Sequence, residues 1–316
     1  MWERFLTAIK MVGSIAANLW SSGCVTAMTY EHYIGVIDAE SVLAECGPMR
    51  LVIRAWRGER PQLQLARQAG KESILYLERI ARCRLLLSRP CTQIEELPDY
   101  ELARRMVTSV KAIGDDDLTP MAAVAGTIAD AVADWLFERG TTRVIVENGG
   151  DISVRLVKGE SANVGIRPRI NSQQISHVIR LDGSQPAWGV TTSGVGGRSL
   201  TRGVASAVTV AAANASMADA AATAIGNACF VEDDGIVQVP AESIDPNTDL
   251  AGLSVTAEVG ELSPEKVLHA IEGARRKTAL LAQRKVIHGA FLALQNVFAI
   301  TDGLKPYITP ANEAGG

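Results

Sequence analysis

The 316-residue chain is poor in the residues that build disulfide frameworks and zinc sites. Its five cysteines, Cys24, Cys46, Cys83, Cys91 and Cys229, are an odd number at no paired spacing, which argues against a disulfide scaffold or a zinc knuckle. A reducing compartment, the cytoplasm, is the expected location. The four histidines, His32, His177, His269 and His288, are scattered with no pair four residues apart, so no zinc-ligand pattern is present. Charge is nearly balanced, with a formal net of -4. That speaks against nucleic acid or an anionic membrane surface as the main partner and makes any anion site local. No Ser-His-Asp order and no Cys-His pair stands out, so nucleophilic catalysis has no support. No low-complexity linker divides the chain.

What is present is an ordinary globular composition, 47% apolar and 21% charged, in a chain long enough to bury a substantial core. In the first 27 residues Trp2, Phe5, Leu6, Ile9, Val12, Ile15 and Leu19 recur at helical spacing behind Arg4, with Lys10 among them, a pattern compatible with a weak signal peptide. Ser14 and Asn18 interrupt the run, and Ser21-Ser22-Gly23 before Cys24 lack the aliphatic residue of a lipoprotein box. Residues 1–27 are therefore read as an extension outside the core, with Met28 as an alternative start. A single domain is expected over 28–300 and a tail over 301–316. Membrane contact is expected only if residues 1–27 act as an anchor, and a homo-oligomer stays open.

Hydrophobic periodicity predicts a strand over 49–56, a helix from Leu63 to the Ser88-Arg89-Pro90 break, and a second helix over 101–110. Thr119 and Pro120 read as N-cap and first-turn residues of a helix running to about Glu138, with Met121, Val124, Ile128, Val132 and Trp135 as its buried stripe. Asp130 and Asp134 fall on another face and read as solvated. Two β-rich runs flank Asn148-Gly149-Gly150-Asp151, a strong hairpin signal. Further strands are predicted over 163–167, 177–181, 189–192 and 205–211. Ser263-Pro264-Glu265 opens a helix to about Lys285, and a strand follows over 286–294. Interleaved helices and hairpins favour an α+β fold with an antiparallel sheet over a doubly wound parallel one.

Three constellations could carry chemistry. Asp219, Thr223 and Asn227 are four residues apart on an alanine helix, so they share a face, and Asp plus Thr is a ligand set for a hard cation. Ser216 followed three residues later by Asp219 also fits a capping box, the simpler account when the segment is read alone. Thr191-Thr192-Ser193-Gly194-Val195-Gly196-Gly197-Arg198-Ser199 follows a strand and packs three glycines with four hydroxyls, where glycines let backbone amides turn toward an anion and Arg198 and Arg202 could pair with phosphate; a flexible surface loop is the alternative. Asn148 to Asp151 is a tight turn that could also supply a second carboxylate.

In order, 119-TPMAAVAG-126, 146-VENGGDI-152, 191-TTSG-194, 207-AVTV-210 and 218-ADAAATAIGN-227 resemble the UPF0280 family, a branch of the ApbE-like superfamily, over about residues 46–296. The resemblance implies a layered, T-fold-like α+β architecture with antiparallel sheets and packed helices. It also implies kinship with FAD:protein FMN transferases, which use magnesium to move FMN onto a threonine of a target protein. By that likeness Asp219 and Thr223 match the metal-binding Asp and Thr, and the segment 124–126 would lend a backbone carbonyl. Asn148, Gly149, Gly150 and Asp151, with Thr192, Ser193 and Gly194, would line the cleft for FAD or FMN. The chain departs from the transferases in having Ala125 where they carry lysine, and in lacking their His-x-x-Asp-Pro-x-Thr-Gly loop between residues 194 and 207. Asp245-Pro246-Asn247-Thr248 lies after the alanine helix, in the wrong order to substitute. Arg198 and Ser206 stand where the branch usually has His and Asp. The resemblance therefore implies a small-molecule ligand of flavin or other diphosphate type with magnesium, and the missing loop argues against FMN transfer. A different enzyme for a small anionic or cyclic metabolite, with Arg198 as anion clamp, and a non-catalytic binding or assembly subunit are the alternatives.

Overall fold

The computed structural model describes residues 31–170 and 172–313, so the expected extension 1–27 and the alternative start lie outside the described residues. Strands β1 (His32–Val36), β2 (Ser41–Cys46), β3 (Met49–Arg57) and β4 (Arg60–Pro61) lead into helices α1 (Leu63–Arg82), α2 (Glu101–Ile113) and α3 (Val124–Phe137). Then come β5 (Arg143–Asn148), β6 (Asp151–Leu156), β7 (Ser161–Ile166), β8 (His177–Asp182), β9 (Ala187–Ser193), β10 (Ala207–Ala212) and helix α4 (Ala215–Ala228). The chain closes with β11 (Ile236–Pro240), β12 (Ser254–Val259), helix α5 (Pro264–Gln283), β13 (Gly289–Leu294), β14 (Val297–Ile300) and β15 (Ile308–Pro310).

Ten strands form one sheet in the order β1-β2-β3-β5-β6-β9-β10-β13-β14, with β4 paired to β3. Every pairing in it is antiparallel. The fold is thus α+β and layered, as expected. Alternation assigns the two faces. On β10, Val208, Val210 and Ala212 join a core shared with Ile128 of α3, Ala218 of α4 and Ala270 of α5. Ala207 and Ala211 instead join Trp188, Phe291 and, from the small sheet β15-β8-β7, Ile166, Ile179 and Leu181. A strand buried on both sides needs small apolar residues, and β10 reads Ala-Val-Thr-Val-Ala-Ala.

The expected strands and helices recur, and Ser263 caps α5 by accepting the Lys266 N–H at 3.4 Å. Four expectations need correction. Thr119 does not cap a helix: its hydroxyl bonds Asp249, and residues Pro120–Ala123 form a 3-10 turn before α3 begins. In the expected stripe Ile128 and Val132 are buried, whereas Met121, Val124 and Trp135 are only half-buried. Asp130 is fully buried and Asp134 is shared between two arginines, because Arg155 projects inward from β6. Residues 301–313 are no tail, since Leu304 is buried and β15 pairs with β8. The segment Pro120–Phe137 is long and apolar enough to cross a membrane by composition, and 61% of it is buried within the fold.

Candidate functional site

The register of the sheet decides which candidate side chains meet. Asn148, Asp151, Thr191 and Ser193 belong to the helix-facing set, because Asp151 pairs with Thr191, Thr191 with Val210, and Ser193 with Val208. Thr192 belongs to the opposite face, where its hydroxyl pairs with that of Thr209 at 2.9 Å. The expected Thr192-Ser193-Gly194 lining is therefore split. Ser193 lies toward α4, beside Gly226, and the hydroxyl of Thr192 does not.

Gly149 and Gly150 carry φ of 68° and 116°, the left-handed backbone of a two-residue hairpin loop. A Cβ at Gly149 would stand 1.8 Å from a guanidinium nitrogen of Arg198, so the arginine lies across the turn. Its Nη1 donates to the Pro48 carbonyl at 2.9 Å. Asn148 donates from Nδ2 to the Ala125 carbonyl at 3.2 Å, tying the turn to the start of α3.

Helix α4 begins differently from the expected capping box. Asn214 is the N-cap, accepting the Met217 N–H at 2.8 Å, and Ser216 already lies inside the first turn. Asp219 does not cap its own helix; its Oδ2 accepts the N–H of Gly126, at the start of α3, at 2.9 Å. The helices can approach this closely because residue 126 is glycine: a Cβ there would stand 2.2 Å from the Ala215 carbonyl oxygen. Thr223 donates to the Asp219 carbonyl at 3.1 Å, which leaves its hydroxyl lone pairs free. Asn227, the third residue of the stripe, turns to the C-terminal end and accepts from the Arg202 N–H at 3.0 Å.

Burial pushes the Asp219 carboxyl well above the usual carboxylate range, and the charge of Asp151 adds to it, against the N–H groups of Gly126 and Ala125. Burial likewise raises Asp151 to about 7, opposed by Arg198 and reinforced by Glu147. Thr191, fully buried on the same face, has a hydroxyl with no hydrogen-bond partner. No group of three or more His, Cys, Asp or Glu is gathered among the described residues. A cation here would rest on carboxylate, hydroxyl and carbonyl oxygens, the donors hard cations take. A cavity of about 490 Å³ lies elsewhere, bounded by Val195, Val204, Ser206, Arg169 and Gln295, and does not include Asp219. Volume and chemistry do not coincide, and the carboxylates define the candidate site.

Sequence reasoning missed Ser153 and Arg155, read Asp130 as solvated, and named Thr191 only within its loop motif, without a role of its own. Period-2 alternation from Asp151 was the available signal, since it puts 151, 153 and 155 on one face.

A family model described as AbpE bacteria matches residues 36–302. A UPF0280 protein of Methanococcus aeolicus is 40% identical over 119 residues, covering 37% of this chain and 48% of that protein. A UPF0280 protein of Methanosarcina barkeri is 36% identical over 168 residues, covering 51% and 63%. The chain thus spans about half the length of these curated relatives. Among solved structures, an ApbE protein of Thermotoga maritima is similar at 13% identity and a TM-score of 0.45, covering 88% of this chain and 99% of that one. The apo form of the flavinyl transferase ApbE of Pseudomonas stutzeri gives 19%, a TM-score of 0.36, and 60% and 50%.

Proposed function

The chain belongs to the AbpE bacteria family, and from that premise we propose that it binds a diphosphate-bearing ligand of the flavin nucleotide class together with a divalent hard cation such as magnesium. The observation that carries this reading is the pair Asp219 and Asp151: two acidic side chains pushed upward by burial, beside a buried Thr191 hydroxyl that has no partner. Both side chains are half-buried, so they stay within reach of a ligand, and a cation would offset the cost of holding two carboxylates close together in a partly desolvated place. The donor set fits magnesium, which prefers oxygen and few protein ligands. Asp219 and Thr223 would hold it. Bound there, the cation would neutralise a diphosphate and polarise its P–O bonds.

The other groups serve the anion. Arg198 has guanidinium N–H groups beyond the one spent on Pro48, in the fork geometry that phosphate accepts. Gly149 and Gly150 keep the turn beneath it free of side chains. Ala125 offers no ammonium group where the transferases of the resemblance carry lysine, and the acidic loop they use is absent, so the reading stops at binding. The protein's place of action on this reading is the cytoplasm, from the odd number and unpaired spacing of its cysteines in the sequence.

Titration with FAD and magnesium tests this. Flavin fluorescence is expected to change, and a hundredfold excess over the dissociation constant should stabilise the protein by about 2.7 kcal/mol. Asp219→Ala should keep the fold and lose the magnesium-dependent part. A wild-type protein that shows neither fluorescence change nor stabilisation overturns the proposal.

A further inference from the structure

Asp130 lies fully buried on α3, one turn after Gly126, and every acceptor position it has is in use. Its Oδ1 accepts the Ala215 N–H at 3.0 Å, the Ser153 hydroxyl at 2.7 Å and Arg155 Nη2 at 3.1 Å. Its Oδ2 accepts the Ser216 N–H at 2.8 Å and the Ser216 hydroxyl at 2.9 Å. Two of these donors are N–H groups that open α4 and have no partner within their own helix. Asp130 therefore caps α4 from α3, while Asp219 of α4 accepts the Gly126 N–H that opens α3. The two helices cap each other with carboxylates.

This reciprocal arrangement sets where Asp219 stands. Ala215 and Ser216 are the turn before Asp219, so a carboxylate that grips their N–H groups fixes both the rotation of α4 and its position along the axis. Through Ser153 and Arg155 the same carboxylate is tied to β6, the strand that begins with Asp151. Thr223 follows one turn further along α4. One buried side chain thus joins the three elements that carry Gly126, Asp151 and Asp219.

We propose that Asp130 is the positioning residue of the cation site, holding Asp219 and Thr223 of α4 in register with the start of α3 and with β6. The inference rests on the cation reading above and deepens it. Loss of such outer partners weakens metal binding by about 10–100-fold in known metal sites.

The test uses Asp130→Asn and Ser216→Ala in the full chain, with two readouts. The first, without metal, is hydrogen exchange of the Gly126 amide against the sheet amides of Val146 and Val208. In Asp130→Asn, where an amide N–H₂ replaces an acceptor that faces several donors, exchange at Gly126 should rise at least about tenfold while the sheet amides hold. Ser216→Ala, which removes one of the five bonds, should move Gly126 in the same direction by less. The second readout is the magnesium dissociation constant, expected to weaken by about 10–100-fold in Asp130→Asn. Unchanged protection at Gly126, unchanged magnesium affinity in a protein whose wild type binds it, or a uniform rise of exchange across the sheet in both variants overturns the proposal. A wild type without magnesium affinity, combined with selective exposure of Gly126 in Asp130→Asn, sinks the cation reading and leaves the positioning role standing.

Discussion

Asp130 and Asp219 do the same mechanical task on adjoining helices, each accepting N–H groups that open the other's helix, yet their surroundings are opposite. Asp130 faces two backbone N–H groups, two hydroxyls and the Arg155 guanidinium. Asp219 faces backbone N–H groups and another carboxylate, Asp151. The first is a closed circuit in which every lone pair has a donor and the charge has a counter-charge. The second is left short of positive charge. The contrast separates a carboxylate that builds the fold from one with capacity left for a ligand.

The largest expected effect comes from opening the closed circuit. Arg155→Met removes the counter-charge while preserving bulk, and should destabilise the protein by about 3–5 kcal/mol in urea unfolding, because a buried carboxylate is left unpaired. With magnesium present the loss should be larger, because Arg155 helps Asp130 hold the cation site in register. A loss below about 1 kcal/mol would remove the contrast, since Asp130 would then need no counter-charge.

The pH dependence of the metal-free protein probes the other side. Asp151 titrates near 4 when unfolded and near 7 when folded, and Asp219 is shifted the same way. Between these values the folded state binds more protons than the unfolded state, so this contribution is present in full below about pH 4 and is lost as pH rises through about 7. Thermal unfolding with chelator should show the melting temperature falling as pH rises from about 4 through about 7. Magnesium should reverse the trend, because a cation binds the ionised carboxylates and its stabilisation grows with pH. Identical profiles with and without magnesium would break the comparison.

Thr223→Ala gives the smallest change. Metal-free stability should move by less than about 0.5 kcal/mol, as better helix propensity offsets lost packing. Magnesium affinity should fall about tenfold, or about 1.4 kcal/mol, by calorimetric titration. An unaltered affinity would take Thr223 out of the site.

Much of this molecule was legible before folding. The Asn148 to Asp151 hairpin, the alanine stripe and the helix opened by Ser263-Pro264 each have a local cause, in a turn that needs left-handed backbone, in helical spacing and in an N-cap. Strand β10 is buried on both faces, as its run of small apolar residues predicts. Asp130 and Arg155 were not legible, for a common reason. Asp130 is a charged residue in an apolar helix, which periodicity read alone sends to solvent, and alternation along β6 sets Arg155 on the face of Asp151 without saying what covers that face. Only when β6 lies under α3 does each become the partner that lets the other stay buried. The capping box at Ser216 and Asp219 misled in the same way, since the spacing was right but the N–H groups that Asp219 serves belong to another helix.

By itself the sequence determined the long helices, the strands around the Asn148 to Asp151 hairpin, the turn that carries Asp151 and the shared helical face of Asp219 and Thr223, because these depend on backbone preferences and spacing within a few residues. Tertiary structure alone decided that Thr192 and Ser193 lie on opposite faces of the sheet, that the charge of Asp151 acts on Asp219, and that Asp130 is compensated by Arg155. Those outcomes depend on strand register and on helix-to-helix approach at Gly126, where electrostatic partners come from segments distant in the chain.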